Sequence, residues 1–217
     1  MSSDELLLRR AIVFVSAFVY WVGVAVQARR IRRQIGRSPN VRPRGTKEKL
    51  LWAGWMVVAG IWLFQPFFVG GEAASAWRRG YAALLHGPSL VGGALLVATG
   101  YVGTLWCYAA MGDTWRMGIN RKEKTVLVSH GPYQWVRHPI YLFQVVMLAG
   151  AAWLLPTWLS LIALLIHFVC VWLKALDEET YLLAVHGETY RDYLRRTGRL
   201  FPKLWGRSGP ILDKPER

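Results

Sequence analysis

The chain reads as an all-α integral membrane protein with five transmembrane helices, the last two a tight hairpin, and short cytoplasmic C-terminal helices. Three observations predict this. Of its 217 residues 53% are hydrophobic, with twelve Trp, which is not the composition of an ordinary soluble domain. Apolar runs near spanning length recur at 11–26, 50–69, 90–111, 140–155 and 157–173. The formal net charge of +14 is concentrated in alternate loops, the pattern of the positive-inside rule.

A helix needs about 20 mostly apolar residues to cross roughly 30 Å of hydrocarbon. The first run reaches that length only by including Leu6 to Leu8, past Arg9 and Arg10, whose long side chains are expected to snorkel. "QARRIRR" follows without a small-x-small cleavage site, so it reads as a stop-transfer flank rather than the end of a signal peptide. The loop "ARRIRRQIGRSPNVRPRGTKEK" then carries nine Lys or Arg and one acid. The second and third runs are long enough unaided, and only Glu72, Arg78 and Arg79 are charged between them. The next loop, "DTWRMGINRKEKTVLVSHGPYQWVRH", is basic again, and the tail after Lys174 is rich in Arg. This alternation puts the N-terminus outside and the C-terminus in the cytoplasm. Topology, with attraction to lipid headgroups, accounts for the charge better than nucleic-acid binding does.

The last two runs are short and divided only by Pro156, and they lack the polar face of a soluble core hairpin. The chain is thus expected to be a single membrane domain, 1–217. Residues 1–111 form three spans with a basic cytoplasmic loop at 29–49, and residues 112–217 a core built on the hairpin 138–174. Cys107 and Cys170 lie in apolar runs without a CxxC pattern and imply neither a disulfide nor a metal site.

The stretch "HGPYQWVRHPIYLFQ", 130–144, places polar groups where a span begins. Proline suits the first turn of a helix, so the fourth span is expected to start at His138 on the cytoplasmic face. The fifth returns to that face near Lys174, and "LDEETYLLAVHGETYRDYLRR" brings Glu178 and Glu179 back beside it. On the fourth helix His138 and Tyr141 share a face, while Arg137, Tyr141 and Gln144 form a second stripe. The free N–H groups of the helix start favour a carboxylate. Adjacent Glu178 and Glu179 project about 100° apart, so one is expected in a pocket and the other against a basic loop. A small ligand with a carboxylate and cationic centres matches this mixture. Taken singly, an Arg-His pair at a span end is commonly an interfacial anchor, and Tyr and Trp there an aromatic belt. Their convergence with paired Glu exceeds what topology needs.

Arg137, His138, Pro139 and Tyr141, then Glu178 and Glu179, then Gly187, Tyr190 and Tyr193 form a string that resembles the isoprenylcysteine carboxyl methyltransferase family and its bacterial relatives. The family mark is Arg-His-Pro-x-Tyr, a hydrophobic hairpin, Glu-Glu, and Gly-x-x-Tyr-x-x-Tyr. The resemblance covers roughly Gly112 to Pro202 and implies a membrane methyltransferase that uses S-adenosyl-L-methionine. By it, the cofactor contacts Thr125, Val126, Leu127 and Val128 mainly through backbone groups. Tyr133 packs by the adenosine, His138, Pro139, Ile140 and Tyr141 line the pocket, and Glu178, with Glu179 beside it, closes the opposite wall. His138 and Arg137 are the residues implied at the chemistry. Lys174, Trp115 and Arg116 are implied at the substrate end, and no metal is implied.

Two positions depart from the family pattern. Lys174 stands where the family usually has Arg, keeping the charge without the two-pronged geometry for a carboxylate. "GDTWRMGI", 112–119, replaces the Asn-Phe-x-His that follows the glycine in eukaryotic prenylcysteine enzymes. The acceptor, lipophilic or small and bearing a carboxylate, thiol or amine, therefore stays open; it is expected to arrive from the lipid. Two alternatives remain at this point. One is a membrane reductase using reduced nicotinamide, with Arg191, Arg195 and Arg196 near a 2′-phosphate. The other is a non-enzymatic scaffold or transporter.

Overall fold

The structure, a computed structural model, describes residues 2–36, 43, 45–69, 87–115 and 126–203. Its helices are α1 (Ser3–Ile35), α2 (Thr46–Phe68), α3 (Gly87–Met111), α4 (Pro139–Leu154), α5 (Trp158–His186) and α6 (Glu188–Arg196). Short 3-10 turns at Gly112–Thr114 and Gly131–Gln134 flank the connection from α3 to α4. Among the described residues the sole β pairing is an isolated parallel bridge between Val136 and Gly198.

Local chemistry sets the helix starts. Ser2 accepts a hydrogen bond from the Glu5 N–H at 3.1 Å, and Asp4 and Glu5 sit in the first turn of α1, where the helix dipole favours acids. Thr157 caps α5 in the same way through the Ser160 N–H, also at 3.1 Å. Pro139 opens α4, where its missing N–H costs nothing.

Helices α1, α2, α3 and α5 are long and apolar enough to cross a membrane, and their exposed faces carry large apolar residues such as Phe18, Phe64, Leu95 and Leu165. The protein is a multi-pass membrane protein. Helix α4 is different. Its 16 residues span about 24 Å at 1.5 Å each, short of the roughly 30 Å of hydrocarbon. It is the central element, pressed chiefly against α3 and then α5, and Met147, Leu148, Ala151 and Leu154 lie in the core with Tyr20 and Trp62.

The α3–α4 approach depends on small residues. A Cβ on Gly100 would come within 2.6 Å of the Phe143 carbonyl oxygen and 2.8 Å of the Met147 N. Helix pairs in lipid gain from such close contact because no hydrophobic force drives them together. Gly100→Ala is expected to push the two helices apart and destabilise the fold by about 1–3 kcal/mol. Thermal unfolding in detergent measures the loss, and an unshifted midpoint would mean that the helices do not pack this closely.

Arg9 does not snorkel. It is fully buried, bonded to Glu5 Oε1 at 2.8 Å, to Ser89 Oγ at 2.9 Å and to the Leu154 carbonyl at 3.3 Å. Sequence hydropathy favours water for a lone Arg, but here an acid one turn back and two outside acceptors satisfy it indoors. Nearby, Gln65 donates to Ser160 Oγ at 2.7 Å and joins α2 to the start of α5. These ties close the end of the bundle that holds the α4–α5 turn, opposite the end that holds the polar cluster described next.

Candidate functional site

Only three residues, Leu155 to Thr157, separate α4 from α5, and the chain returns so that the start of α4 faces the far end of α5. The Tyr141 hydroxyl donates to Glu178 Oε1 at 2.8 Å. His138 Nδ1 lies 3.4 Å from Glu178 Oε2. The His138 and Tyr141 rings stack, with centroids 5.6 Å apart and planes within 10°, as expected of side chains three apart on a helix start.

Glu179, about 100° further round α5, faces elsewhere. Its Oε1 accepts from Arg137 Nε at 2.8 Å and from Arg199 Nε at 3.0 Å, and its Oε2 from Arg199 Nη2 at 2.8 Å. Arg137 also donates through Nη1 to the Thr197 and Leu194 carbonyls. The segment carrying Arg199 runs beside the motif: the Arg137 N–H donates to the Gly198 carbonyl at 2.8 Å and the His138 N–H to the Arg199 carbonyl at 3.1 Å. Arg199 further stacks over the Trp172 ring at 4.8 Å. Arg137, expected among the catalytic groups, therefore has its guanidinium committed to Glu179 and two carbonyls, which makes it a positioning residue.

Above this layer α6 closes the site. Tyr190 and Tyr193, three apart, present one face of α6 inward; the Tyr193 hydroxyl donates to the Tyr133 carbonyl at 2.6 Å. Tyr190 is fully buried, and its hydroxyl has no hydrogen-bond partner among the described residues. Burial pushes the Tyr133 phenol up in pKa, with Cys107 the next contributor, so Tyr133 serves as a neutral aromatic wall.

These groups surround one cavity of about 270 Å³. Its lining includes Val126, Leu127, Val128, Tyr133, Arg137, His138, Ile140, Tyr141, Glu178 and Trp115. Pro139 is buried at the first position of α4 and Glu179 is turned to the arginines; neither lines the cavity. Lys174, expected at the substrate end, is buried on α5 and also off the lining. Thr125 and Arg116 lie outside the described residues. Sequence reading missed a second set of lining residues, among them Tyr20, Trp21, Trp55, Trp62 and His167. His167 was detectable as a lone ionisable residue inside an apolar span; tryptophans in spans carry no such mark.

Burial pulls the His138 pKa down, but hydrogen bonding and charge from Glu178 and Glu179 outweigh it and leave it raised above the ordinary 6.5. For a raised histidine, the stability it contributes is full below the unfolded value and is lost as pH rises through the folded one. His138→Gln is expected to flatten the dependence of unfolding temperature on pH in that window. Equal slopes for variant and parent would show that His138 carries no such linkage.

Among the described residues no three His, Cys, Asp or Glu gather into a group that could hold a metal ion. For a zwitterionic adenosyl cofactor the donor set fits. Glu178 offers a carboxylate for an ammonium or hydroxyls, the first turn of α4 has N–H groups without intrahelical partners, and Tyr190 has an unpaired hydroxyl beside aromatic walls.

Known proteins match the chain in the same region. Residues 88–189 match the phospholipid methyltransferase family. A nickel-cobalt-cadmium resistance protein of Alcaligenes xylosoxydans is 30% identical over 150 residues, 69% of this chain and 63% of that protein. A cobalt-zinc-cadmium resistance protein of Cupriavidus metallidurans is 26% identical over 145 residues, 67% of this chain and 63% of that protein. A methanethiol S-methyltransferase of Crocosphaera subtropica is 32% identical over 99 residues, 42% of this chain and 35% of that protein. The chain thus spans less than two thirds of the length of these relatives. Residues 88–189, which carry the start of α4, Tyr141 and Glu178, belong to the phospholipid methyltransferase family, of isoprenylcysteine carboxyl methyltransferase-like type.

Proposed function

We propose that this protein is an S-adenosyl-L-methionine-dependent methyltransferase that acts within the membrane on a lipophilic or small acceptor bearing a carboxylate, thiol or amine. One observation carries the reading: the 2.8 Å hydrogen bond from Tyr141 to Glu178 brings the two ends of the α4–α5 return to one cavity, with Val126–Val128 and Tyr133 on its wall. In this reading α4 and α5 form a transmembrane hairpin, α4 is the short fifth crossing, and the site faces the cytoplasm. The N-terminus is then outside and the C-terminus inside.

When bound, S-adenosyl-L-methionine supplies an electrophilic methyl group on a sulfonium cation. The chain's own groups do the rest. Glu178 holds an ammonium or ribose hydroxyls, the α4 start takes a carboxylate, and Tyr133, Tyr190 and Tyr193 flank a flat base. Arg137, tied to Glu179, fixes the angle at which His138 and Tyr141 enter the cavity. Apolar walls from Val126 to Val128 and Ile140 keep water out, which favours loss of charge in the reacting pair, and alignment supplies much of the remaining rate. An acceptor already anionic needs no proton removed by the protein.

The methanethiol S-methyltransferase relative supports including small thiols among the acceptors to be tried. The test is transfer of labelled methyl from S-adenosyl-L-methionine, in membranes carrying the chain, to a prenylcysteine, a small thiol and a lipid extract in parallel. Label in one acceptor class is the expected result. No label in any, together with no binding of S-adenosylhomocysteine, overturns the reading.

A further inference from the structure

The cavity has an inner arm that the cofactor-side residues do not use. Along α5 it runs from Glu178 inward to His167, about 16 Å at 1.5 Å per residue. Helices α2 and α5 are antiparallel there: Gln65 bonds Ser160, and a Cβ on Gly54 would meet Cys170 Sγ at 2.7 Å. That register sets His167 between the levels of Trp55 and Trp62. Tyr20, whose ring lies 5.5 Å from Trp62, brings neighbouring Trp21 of α1 to the same arm.

Four side chains of this arm share an unusual state. The indole nitrogens of Trp21, Trp55 and Trp62 and Nε2 of His167 are buried without a hydrogen-bond partner among the described residues; His167 itself is 7% exposed. An indole N–H only donates, and a buried donor left unpaired is costly. No carboxylate lines this part of the cavity, since Glu178 stands at the other end. Lys174 lies on the same face of α5 between His167 and Glu178, is buried, and forms no ion pair with a described residue. The arm is rich in donors, poor in acceptors and flanked by positive charge.

We propose that this arm is the acceptor subsite, and that Trp21, Trp55, Trp62 and His167 recognise an anionic, lone-pair-bearing head, a carboxylate or a thiolate, on an apolar molecule. The inference rests on the methyltransferase reading for the word acceptor. It excludes an ammonium head, whose N–H groups would find no partner there.

Calorimetric titration of the full chain in lipid nanodiscs tests it with three probes of one chain length: decanoate, decanethiol and decylammonium. S-adenosylhomocysteine is titrated into the same preparation. Decanoate or decanethiol is expected to bind at least tenfold more tightly than decylammonium, and the preferred one identifies the head. Trp62→Phe and His167→Leu should each weaken that probe five- to tenfold. His167→Gln, which keeps a donor, should retain most of the affinity, and S-adenosylhomocysteine should bind all variants alike. Decylammonium binding as tightly as the others would mark an aromatic box for cations and overturn the proposal, as would absence of binding by all three probes. Equal weakening of every probe by both variants would overturn it too. If the probes discriminate while S-adenosylhomocysteine fails to bind, the anion subsite stands and the methyltransferase reading falls.

Discussion

Glu178→Ala lowers affinity for S-adenosylhomocysteine at least about a hundredfold while the protein stays folded in the membrane. Glu178 is the sole carboxylate on the cavity lining, and each charged hydrogen bond that it offers is worth about 1.5–3 kcal/mol. Two such bonds to a ligand exceed the roughly 2.7 kcal/mol that a hundredfold change in affinity requires. The alanine also releases the Tyr141 hydroxyl, which then has no acceptor at 2.8 Å, so the aromatic wall loses its fixed position. Folding is little affected because the Glu178 side chain is 22% exposed and water can replace it. Glu178→Gln keeps an acceptor for Tyr141 without the charge and should fall between parent and alanine. Calorimetry on the purified variants decides the matter; an unchanged affinity removes Glu178 from the cofactor site.

Arg137→Ala has the larger effect on the fold. The side chains of Arg137 and Glu179 are 9% and 10% exposed, and removing one member of a buried pair costs about 3–5 kcal/mol because the other charge is stranded. Here the loss also frees the Thr197 and Leu194 carbonyls that Arg137 Nη1 serves. Arg137→Lys keeps the charge but not the fork that reaches a carboxylate and carbonyls together, so it should recover only part of the loss. The double variant Arg137→Ala with Glu179→Ala should lose less than the sum of the single variants. Thermal unfolding in nanodiscs gives the values. A loss below about 1 kcal/mol for Arg137→Ala would place this pair with ordinary exposed ion pairs.

The cofactor end was readable in the sequence because its chemistry stands out from its surroundings. Arg137, His138 and Tyr141 precede an apolar run, and Glu178 and Glu179 follow another, so polar groups flank a return path through lipid. The structure brings Tyr141 and Glu178 into contact, and Glu178 and Glu179 face different partners as helix geometry requires. The inner arm was not readable. Trp55 and Trp62 lie within an apolar helix where an unpaired N–H and a packed ring look identical in sequence. Arg9 misled for a related reason: partners at Ser89 and Leu154 come from helices far along the chain, and no local pattern announces them. The length of α4 was overestimated as a span because apolar character reports burial against protein as readily as burial in lipid.

The bridge between Val136 and Gly198 has a consequence for biosynthesis. A Cβ on Gly198 would sit 1.6 Å from the Phe201 carbonyl oxygen, so this strap is tight, and through Arg199 it anchors Glu179. The ribosome makes residues 197–200 long after the translocon has taken up α1 to α3. A nascent chain therefore carries its motif unlatched until nearly the last codons are read, and the enzyme switches on only once its own synthesis is all but finished.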